Sequence, residues 1–381
     1  MSGSGSVLEL DDVSVHFRED SLLTDIVPDS VKRRFGFDGE SETVHAVDNV
    51  SIDINKNDVV ALVGESGCGK TTLGKAAVAL QRPTSGSVRY KGHDIWDLYD
   101  GKENADMDFE QIRRGLQIIH QDPGSALNPN RTVQANLSSP LERWNPELTF
   151  RDRHDRVLRL LKRIGLTPAE DYADRYAHQL SGGEQQRVAL IRALMLEPDV
   201  ILADEAVSAL DVSLRIEIMD LMLDLQESFD TSYVFVSHNL SNARYLAGQA
   251  DGSIAVMYLG RIVEYGPAEE IISNPQHPYT KILEWATPVL DPEQAAEAMR
   301  EDTPMRGIDI PDATNPPTGC RFHTRCPEAR EVCTQELPEF YPAPDNRNHV
   351  AACYRVDDDH EYWNSPELED ETADGYQSIS D

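Results

Sequence analysis

The stretch from Val59 to Ala77, VVALVGESGCGKTTLGKAA, constrains the fold of this chain more than any other. Val59 to Val63 form an apolar run short enough for a strand buried on both faces. It leads directly into Gly64-Glu65-Ser66-Gly67-Cys68-Gly69-Lys70-Thr71, the G-x-x-x-x-G-K-[ST] phosphate loop, followed by Thr72. Glycines are needed there because backbone N–H groups must approach phosphate oxygens with no Cβ in the way. The helix that follows turns its positive end toward the same anion. Lys70 is expected to reach the β- and γ-phosphates and the Thr71 hydroxyl to hold Mg²⁺. Strand, loop and helix in this order predict an α/β chain built on a parallel sheet.

Length and charge narrow the class. At 381 residues the chain exceeds the usual single-domain size, so two domains are expected. No stretch approaches the ~18 consecutive apolar residues of a membrane span. The start, MSGSGSVLEL, lacks the regions of a signal peptide, which predicts a cytoplasmic chain that meets a membrane only through partners. The formal net charge of −32 repels nucleic acid and anionic lipid, so no nucleic-acid partner is expected. An excess of carboxylates with few lysines also suits a salt-rich cytosol, where screening shortens repulsion to about 3 Å at 1 M salt.

Taken in order, Leu8 to Leu10 and Val13 to Phe17 alternate as a strand, and Val44 to Ile54 carries a second apolar run. Phe17, at a strand end, is a candidate to stack on a nucleotide base, with a plain core role the alternative. Between the two runs lies Lys32-Arg33-Arg34-Phe35, a basic cluster in an acidic chain, either a solvated loop or a docking point for an acidic partner loop. A short strand is expected over Ser87 to Tyr90, and a buried one over Gly115 to His120. The latter delivers Gln121 to the sheet edge where open α/β folds bind ligands. Residues 122–188 turn helical and are expected to form an inserted subdomain. Ser181-Gly182-Gly183 opens a helix with free N–H groups and a hydroxyl, a second anion-binding start. Val200 to Ala203 then delivers Asp204 and Glu205, a pair suited to holding a divalent metal with one carboxylate and activating water with the other. Ser208 to Asp211 follow at once, and Val234 to Ser237 hands His238 to the same rim.

In this order and spacing the chain resembles the ATP-binding subunit of an ABC transporter, over roughly Val7 to Ile271. The resemblance maps the family's Q-loop on Gln121, its LSGGQ motif on Leu180 to Glu184, its Walker B strand on Val200 to Asp204 with catalytic Glu205, its D-loop on Ser208 to Asp211 and its switch histidine on His238. Glu184 stands where the family has Gln, and Ala206 where it has Pro. The segments Gln121-Asp122-Pro123, Ser125 to Pro129, Ala206 to Ser213 and Asn274-Pro275-Gln276-His277-Pro278-Tyr279-Thr280 are similar to the oligopeptide/dipeptide importer ATPases, F-type subunit. The resemblance implies a P-loop NTPase (RecA-like) core over residues 1–272, with an antiparallel β subdomain and an inserted α-helical subdomain. It implies ATP held by Gly64 to Thr71 and capped by Ser181 to Gly183 of a partner subunit, Mg²⁺ at Thr71, Gln121 and Asp204, and Asp211 near the nucleotide. It implies ATP hydrolysis by a heterodimer with a D-type ATPase subunit, or a homodimer, under two permease chains served by an extracellular substrate-binding protein. That places the chain peripherally on the cytoplasmic membrane face. Importers of nickel or sugars share the architecture, and a soluble ABC ATPase of DNA repair or translation is the rival class.

From Pro275 onward prolines recur without a sustained period, as in an appended small Cys-rich domain over 273–356. Cys320, Cys326, Cys333 and Cys353 fall there, while Cys68 belongs to the phosphate loop. Close Cys spacing in a cytoplasmic chain argues for metal rather than disulfides. Zinc sites favour C-x₂₋₄-C pairs, and the wider gaps here suit a bulkier group. The resemblance implies a [4Fe–4S] cluster. Zn²⁺ remains the alternative, with His323 or His349 available to it. Residues 357–381, rich in acids and without Lys or Arg, are expected to be a disordered, solvating tail.

Overall fold

The computed structural model describes residues 5–18, 43–103, 105–286, 305–307 and 309–368; the Lys32 to Phe35 cluster lies outside them. In chain order the strands are β1 (Ser6–Arg18), β2 (Thr43–Asn55), β3 (Val59–Val63), β4 (Ser85–Tyr90), β5 (His93–Asp94), β6 (Leu116–Ile119), β7 (Val200–Asp204), β8 (Ser232–Ser237), β9 (Ser253–Tyr258), β10 (Arg261–Pro267), β11 (Tyr341–Pro342) and β12 (Val350–Ala351). They form two sheets, one ordered β2-β1-β4-β5 and one ordered β11-β12-β10-β9-β3-β8-β7-β6.

The phosphate-loop strand lies inside the larger sheet. β3 pairs in parallel with β8 and β9, and β7 pairs in parallel with β6 and β8. All five β3 residues are buried, as a strand covered on both faces must be. Their alternation divides them between two cores. Val59, Ala61 and Val63 pack with the helical side, whereas Val60 and Leu62 pack under the four-stranded sheet. Each fully buried aliphatic chain of this size is worth about 1.5–3 kcal/mol, so the middle of the sheet is held by apolar burial.

The smaller sheet is antiparallel throughout, β1 pairing with β2 and β4, and β4 with β5. Between β6 and β7 run helices Pro123–Ala126, Val133–Trp144, Phe150–Arg163, Ala169–Asp174 and Gly182–Leu194. Thr132 and Thr149 cap two of them with side-chain oxygens on backbone N–H groups.

Past Pro275 the chain forms one more helix before the Cys-rich segment. Pro278–Trp285 is helical, with Pro278 in the first turn, where no N–H is needed, and His277 Nδ1 accepting from the Tyr279 N–H at 3.1 Å. Two expectations for the C-terminal region are corrected: the Cys-rich segment does not stand apart, because β12 pairs with β10 and so extends the main sheet. The ordered chain also runs past 356. Tyr362 is buried and donates its hydroxyl to the Glu328 carbonyl at 2.6 Å, so 357–368 are packed rather than a solvated tail. Residues 369–381 lie outside the described residues.

Candidate nucleotide site

The phosphate loop has the backbone its glycines allow. Gly64 has φ +154°, and a Cβ there would lie 2.2 Å from the Met257 carbonyl oxygen; at Gly69, φ +106°, it would lie 2.0 Å from that of Ala46. Neither position has room for a side chain. At Gly67, φ +82°, a Cβ would meet nothing within 4 Å, so the loop's crest opens to free space. The Cys68 thiol is buried, and burial pushes its pKa up. The Cys68 carbonyl accepts from Gly260 N–H at 2.9 Å, fastening the loop to the β9–β10 turn.

Lys70 opens helix Lys70–Ala77 and is itself buried. Its Nζ donates to the Gly64 and Glu65 carbonyls, each at 2.8 Å. No carboxylate forms an ion pair with it among the described residues. A buried ammonium held by loop carbonyls and the Cys68 sulfur, with no carboxylate beside it, is a cation available to an anion in the loop. Thr71 Oγ1 donates to Asp204 Oδ1 at 2.8 Å, so the hydroxyl and the carboxylate expected to share Mg²⁺ stand side by side.

The groups delivered by the neighbouring parallel strands meet at the same rim. Asp204 ends β7, and Glu205 follows at φ +50°, a left-handed conformation that few non-glycine residues adopt. That turn is fixed because the Glu205 N–H donates to the Val236 carbonyl of β8 at 3.1 Å. His238, just past β8, places Nδ1 3.4 Å from Glu205 Oε1. Gln121, beyond β6, donates to Ser208 Oγ at 3.4 Å, and Ser208 Oγ donates to the Glu205 carbonyl at 2.9 Å. Glu205, His238 and Gln121 are thus linked through short contacts at the carboxyl ends of adjacent strands, where open α/β sheets hold ligands.

Other expected site residues lie elsewhere. Phe17 is 42% exposed and pairs with Val44, two residues before the Ala46 that abuts Gly69, so it stands at the margin of the loop. The side chains of Ser66 and Thr72 make no hydrogen bond among the described residues. Ser181 caps helix Gly182–Leu194 in a capping box: its Oγ accepts from Glu184 N–H, and Glu184 Oε2 accepts from Ser181 N–H at 2.7 Å. Glu184 also accepts from the Tyr172 hydroxyl at 2.7 Å, which explains why Glu serves in a position where Gln was expected. Ser181 and Gly182 are exposed, and no hydrogen bond joins this cap to Gly64–Thr71 among the described residues. Asp211 uses its carboxylate to cap helix Val212–Phe229, accepting from Leu214 N–H at 3.0 Å.

Sequence patterns missed what surrounds Glu65. Its carboxylate faces the Arg325 guanidinium, and its N–H donates to the Tyr279 hydroxyl at 2.8 Å, both from the C-terminal segment. Arg321 likewise reaches back to Asp48 and to the Leu259 carbonyl. No local pattern signals such pairs.

Cys320, Cys326, Cys333 and Cys353 line one pocket with Phe322, Tyr354 and Tyr362, around a cavity of about 20 Å³. Burial pushes the Cys326 thiol up to about 12 and the Cys353 thiol up to about 11. His323 also lines this pocket, whereas His349 is buried with Nε2 2.7 Å from Glu264 Oε1, which removes it from the expected ligand set. Among the described residues, no three His, Cys, Asp or Glu side chains stand close enough together to hold a metal ion.

Residues 47–208 match the family model described as ABC transporter, and residues 263–333 match the one described as oligopeptide/dipeptide transporter, C-terminal region. The chain is 39% identical over 349 residues to the oligopeptide transport ATP-binding protein AppF of Bacillus subtilis (strain 168), covering 92% of this chain and 97% of that protein. It is 42% identical over 323 residues to the dipeptide transport ATP-binding protein DppF of Haemophilus influenzae, covering 84% and 92%. Among solved structures it is similar to the dimeric ATP-binding cassette MJ0796 bound to ADP and Pi, with TM-score 0.53 and 27% identity, covering 68% of this chain and 98% of that one. CbiO1 from Clostridium perfringens, at 22% identity and TM-score 0.57 over 78% of this chain and 100% of that one, shares the fold.

Proposed function

The chain belongs to the ATP-binding proteins of ABC transporters, in the group with the oligopeptide/dipeptide transporter C-terminal region, and from that membership we infer that it hydrolyses ATP to power import of oligopeptides or dipeptides. The observation that carries the ATPase reading is the meeting at one sheet rim of a buried loop lysine, the Thr71–Asp204 pair and the Glu205 carboxylate.

In that reading Lys70 exchanges its loop carbonyls for β- and γ-phosphate oxygens, and the loop N–H groups take the remaining oxygens. Thr71 and Asp204, with Gln121, would hold Mg²⁺, which when bound neutralises charge on the phosphates. Glu205 orients the attacking water and accepts its proton, and His238 contacts the γ-phosphate. Phe17 supplies a face for the base. Ser181 to Gly183, whose exposed helix start stays clear of this chain's own loop, cap the ATP bound by a partner subunit. The dimeric assembly of the MJ0796 cassette supports that arrangement. Asp211 lies at the same dimer seam. The partner is a second ATPase subunit, and the pair works beneath two permease chains on the cytoplasmic membrane face. No helix among the described residues is long and apolar enough to cross a membrane.

The reading extends to the four C-terminal cysteines as ligands of a [4Fe–4S] cluster or of zinc. Four thiols lining one pocket are the donor set both metals use. Metal analysis of anaerobically purified protein decides: about four irons per chain, with colour lost in Cys326→Ser, supports the cluster. Stoichiometric zinc in a colourless preparation overturns it.

The function is tested in vesicles holding the whole transporter, with labelled peptide supplied to the binding protein. ATP-dependent peptide uptake that Lys70→Ala abolishes is expected. ATP turnover that no peptide alters, with no uptake, would contradict it.

A further inference from the structure

We propose that Arg325 and Tyr279 are positioning residues for ATP binding: they hold Glu65 so that its carboxylate is neutralised and its backbone keeps Lys70 in place. The inference rests on the reading of Gly64–Thr71 as the nucleotide loop.

All the polar groups of Glu65 are committed. Its N–H donates to the Tyr279 hydroxyl at 2.8 Å, its carbonyl accepts from Lys70 Nζ at 2.8 Å, and its carboxylate receives both arms of Arg325, at 2.8 and 2.9 Å. The Arg325 side chain is only 4% exposed. Its guanidinium lies 5.8 Å from the ring centroids of both Tyr258 and Phe322. Tyr279 is fully buried against the same two rings, at 4.8 and 5.3 Å. A bidentate pair built on a buried guanidinium fixes orientation as well as charge.

A carboxylate in a phosphate loop opposes the anion that the loop must bind. Arg325 cancels that charge at short range in a partly buried site, where screening is weaker than in open solvent. The Lys70 ammonium hangs from the Glu65 carbonyl, so displacement of Glu65 also displaces the cation meant for the phosphates. Both effects place control of the loop in a segment 260 residues away in the chain.

The test is equilibrium binding of a fluorescent ATP analogue with Mg²⁺ to the full chain in molar salt, with melting temperature measured in parallel without nucleotide. Arg325→Met leaves Glu65 charged and unpaired, and affinity should fall about tenfold or more, which corresponds to about 1.4 kcal/mol. Removing that charge in the double variant Glu65→Gln/Arg325→Met should recover most of the lost affinity, although the fork stays broken. Arg325→Lys, which keeps the charge and loses the second arm, should fall between wild type and Arg325→Met. If Arg325 only fastens the C-terminal segment, the double variant binds as weakly as Arg325→Met and affinity follows melting temperature across the set; that result overturns the inference. Unchanged affinity in Arg325→Met overturns it as well. Failure of the wild-type chain to bind the analogue would instead defeat the nucleotide-loop reading itself, which Lys70→Ala monitors independently.

Discussion

The middle of the large sheet and its β11–β12 edge are held together by different physics. Around β3, β7 and β8 the strands are parallel and buried on both faces, and the catalytic candidates Glu205 and His238 sit within two residues of the end of an apolar run. At the edge, β11 and β12 are two residues each, too short to bury much apolar surface. What fastens that edge is a set of polar contacts between distant residues, the fully buried Glu264 with His349, and the buried Arg321 and Arg325 with the partly buried Asp48 and Glu65. Apolar burial is spread over many side chains and tolerates loss of one. Removing one partner of a buried charged pair leaves the other uncompensated.

The largest effect that follows is at Glu264. It is fully buried and accepts from Gln276 N–H at 2.6 Å and from His277 N–H at 3.0 Å, besides its contact with His349. Glu264→Ala should cost about 3–5 kcal/mol of stability, the range for breaking a buried pair, read as a shift in urea midpoint. Hydrogen exchange should rise first in β12 and β10 and last in β3. Uniform loss of protection across the sheet would erase the distinction between its middle and that edge.

A smaller effect separates the two anion-binding helix starts, Lys70–Ala77 and Gly182–Leu194. Ser181→Arg should lower hydrolysis by the assembled transporter roughly tenfold or more, the loss expected for a donor aimed at a transition-state oxygen. Nucleotide binding by this chain's own loop should be unchanged. Loss of labelling confined to this chain would place Ser181 in its own site instead.

Salt should have the smallest effect. With a net charge of −32, raising KCl from dilute to molar shortens the Debye length from about 30 to 3 Å, and the melting temperature should rise by a few degrees. Buried contacts at the sheet edge are screened little, so protection at β12 should change less than the overall melting temperature. A melting temperature indifferent to salt would remove the basis for reading the acidic surface as an adaptation to a salt-rich cytosol.

The middle of the sheet was legible in the sequence because strand and functional group are neighbours there. Val63 precedes Gly64, Ala203 precedes Asp204 and Ser237 precedes His238, so hydrophobic runs and motifs locate each other. The edge was not legible. A two-residue strand such as β12 leaves no periodic signal, and Arg325 has no local mark of its contact with Glu65. The acids of 357–368 suggested a solvated tail and hid Tyr362, Trp363 and the carbonyls that Arg330 collects, those of Trp363 at 3.0 Å and Ser365 at 2.9 Å. The role of Ser181 was legible as a helix cap, because a Ser-Gly-Gly start with Glu184 three residues on is a local pattern.

The account rests most directly on Glu205 as the group that takes the proton from water. An amide in its place fills the same space and cannot accept that proton. In Glu205→Gln, the fluorescent ATP analogue should bind with wild-type affinity while single-turnover hydrolysis by the assembled transporter falls by about 10²–10⁴-fold. Wild-type turnover in that variant would contradict the assignment.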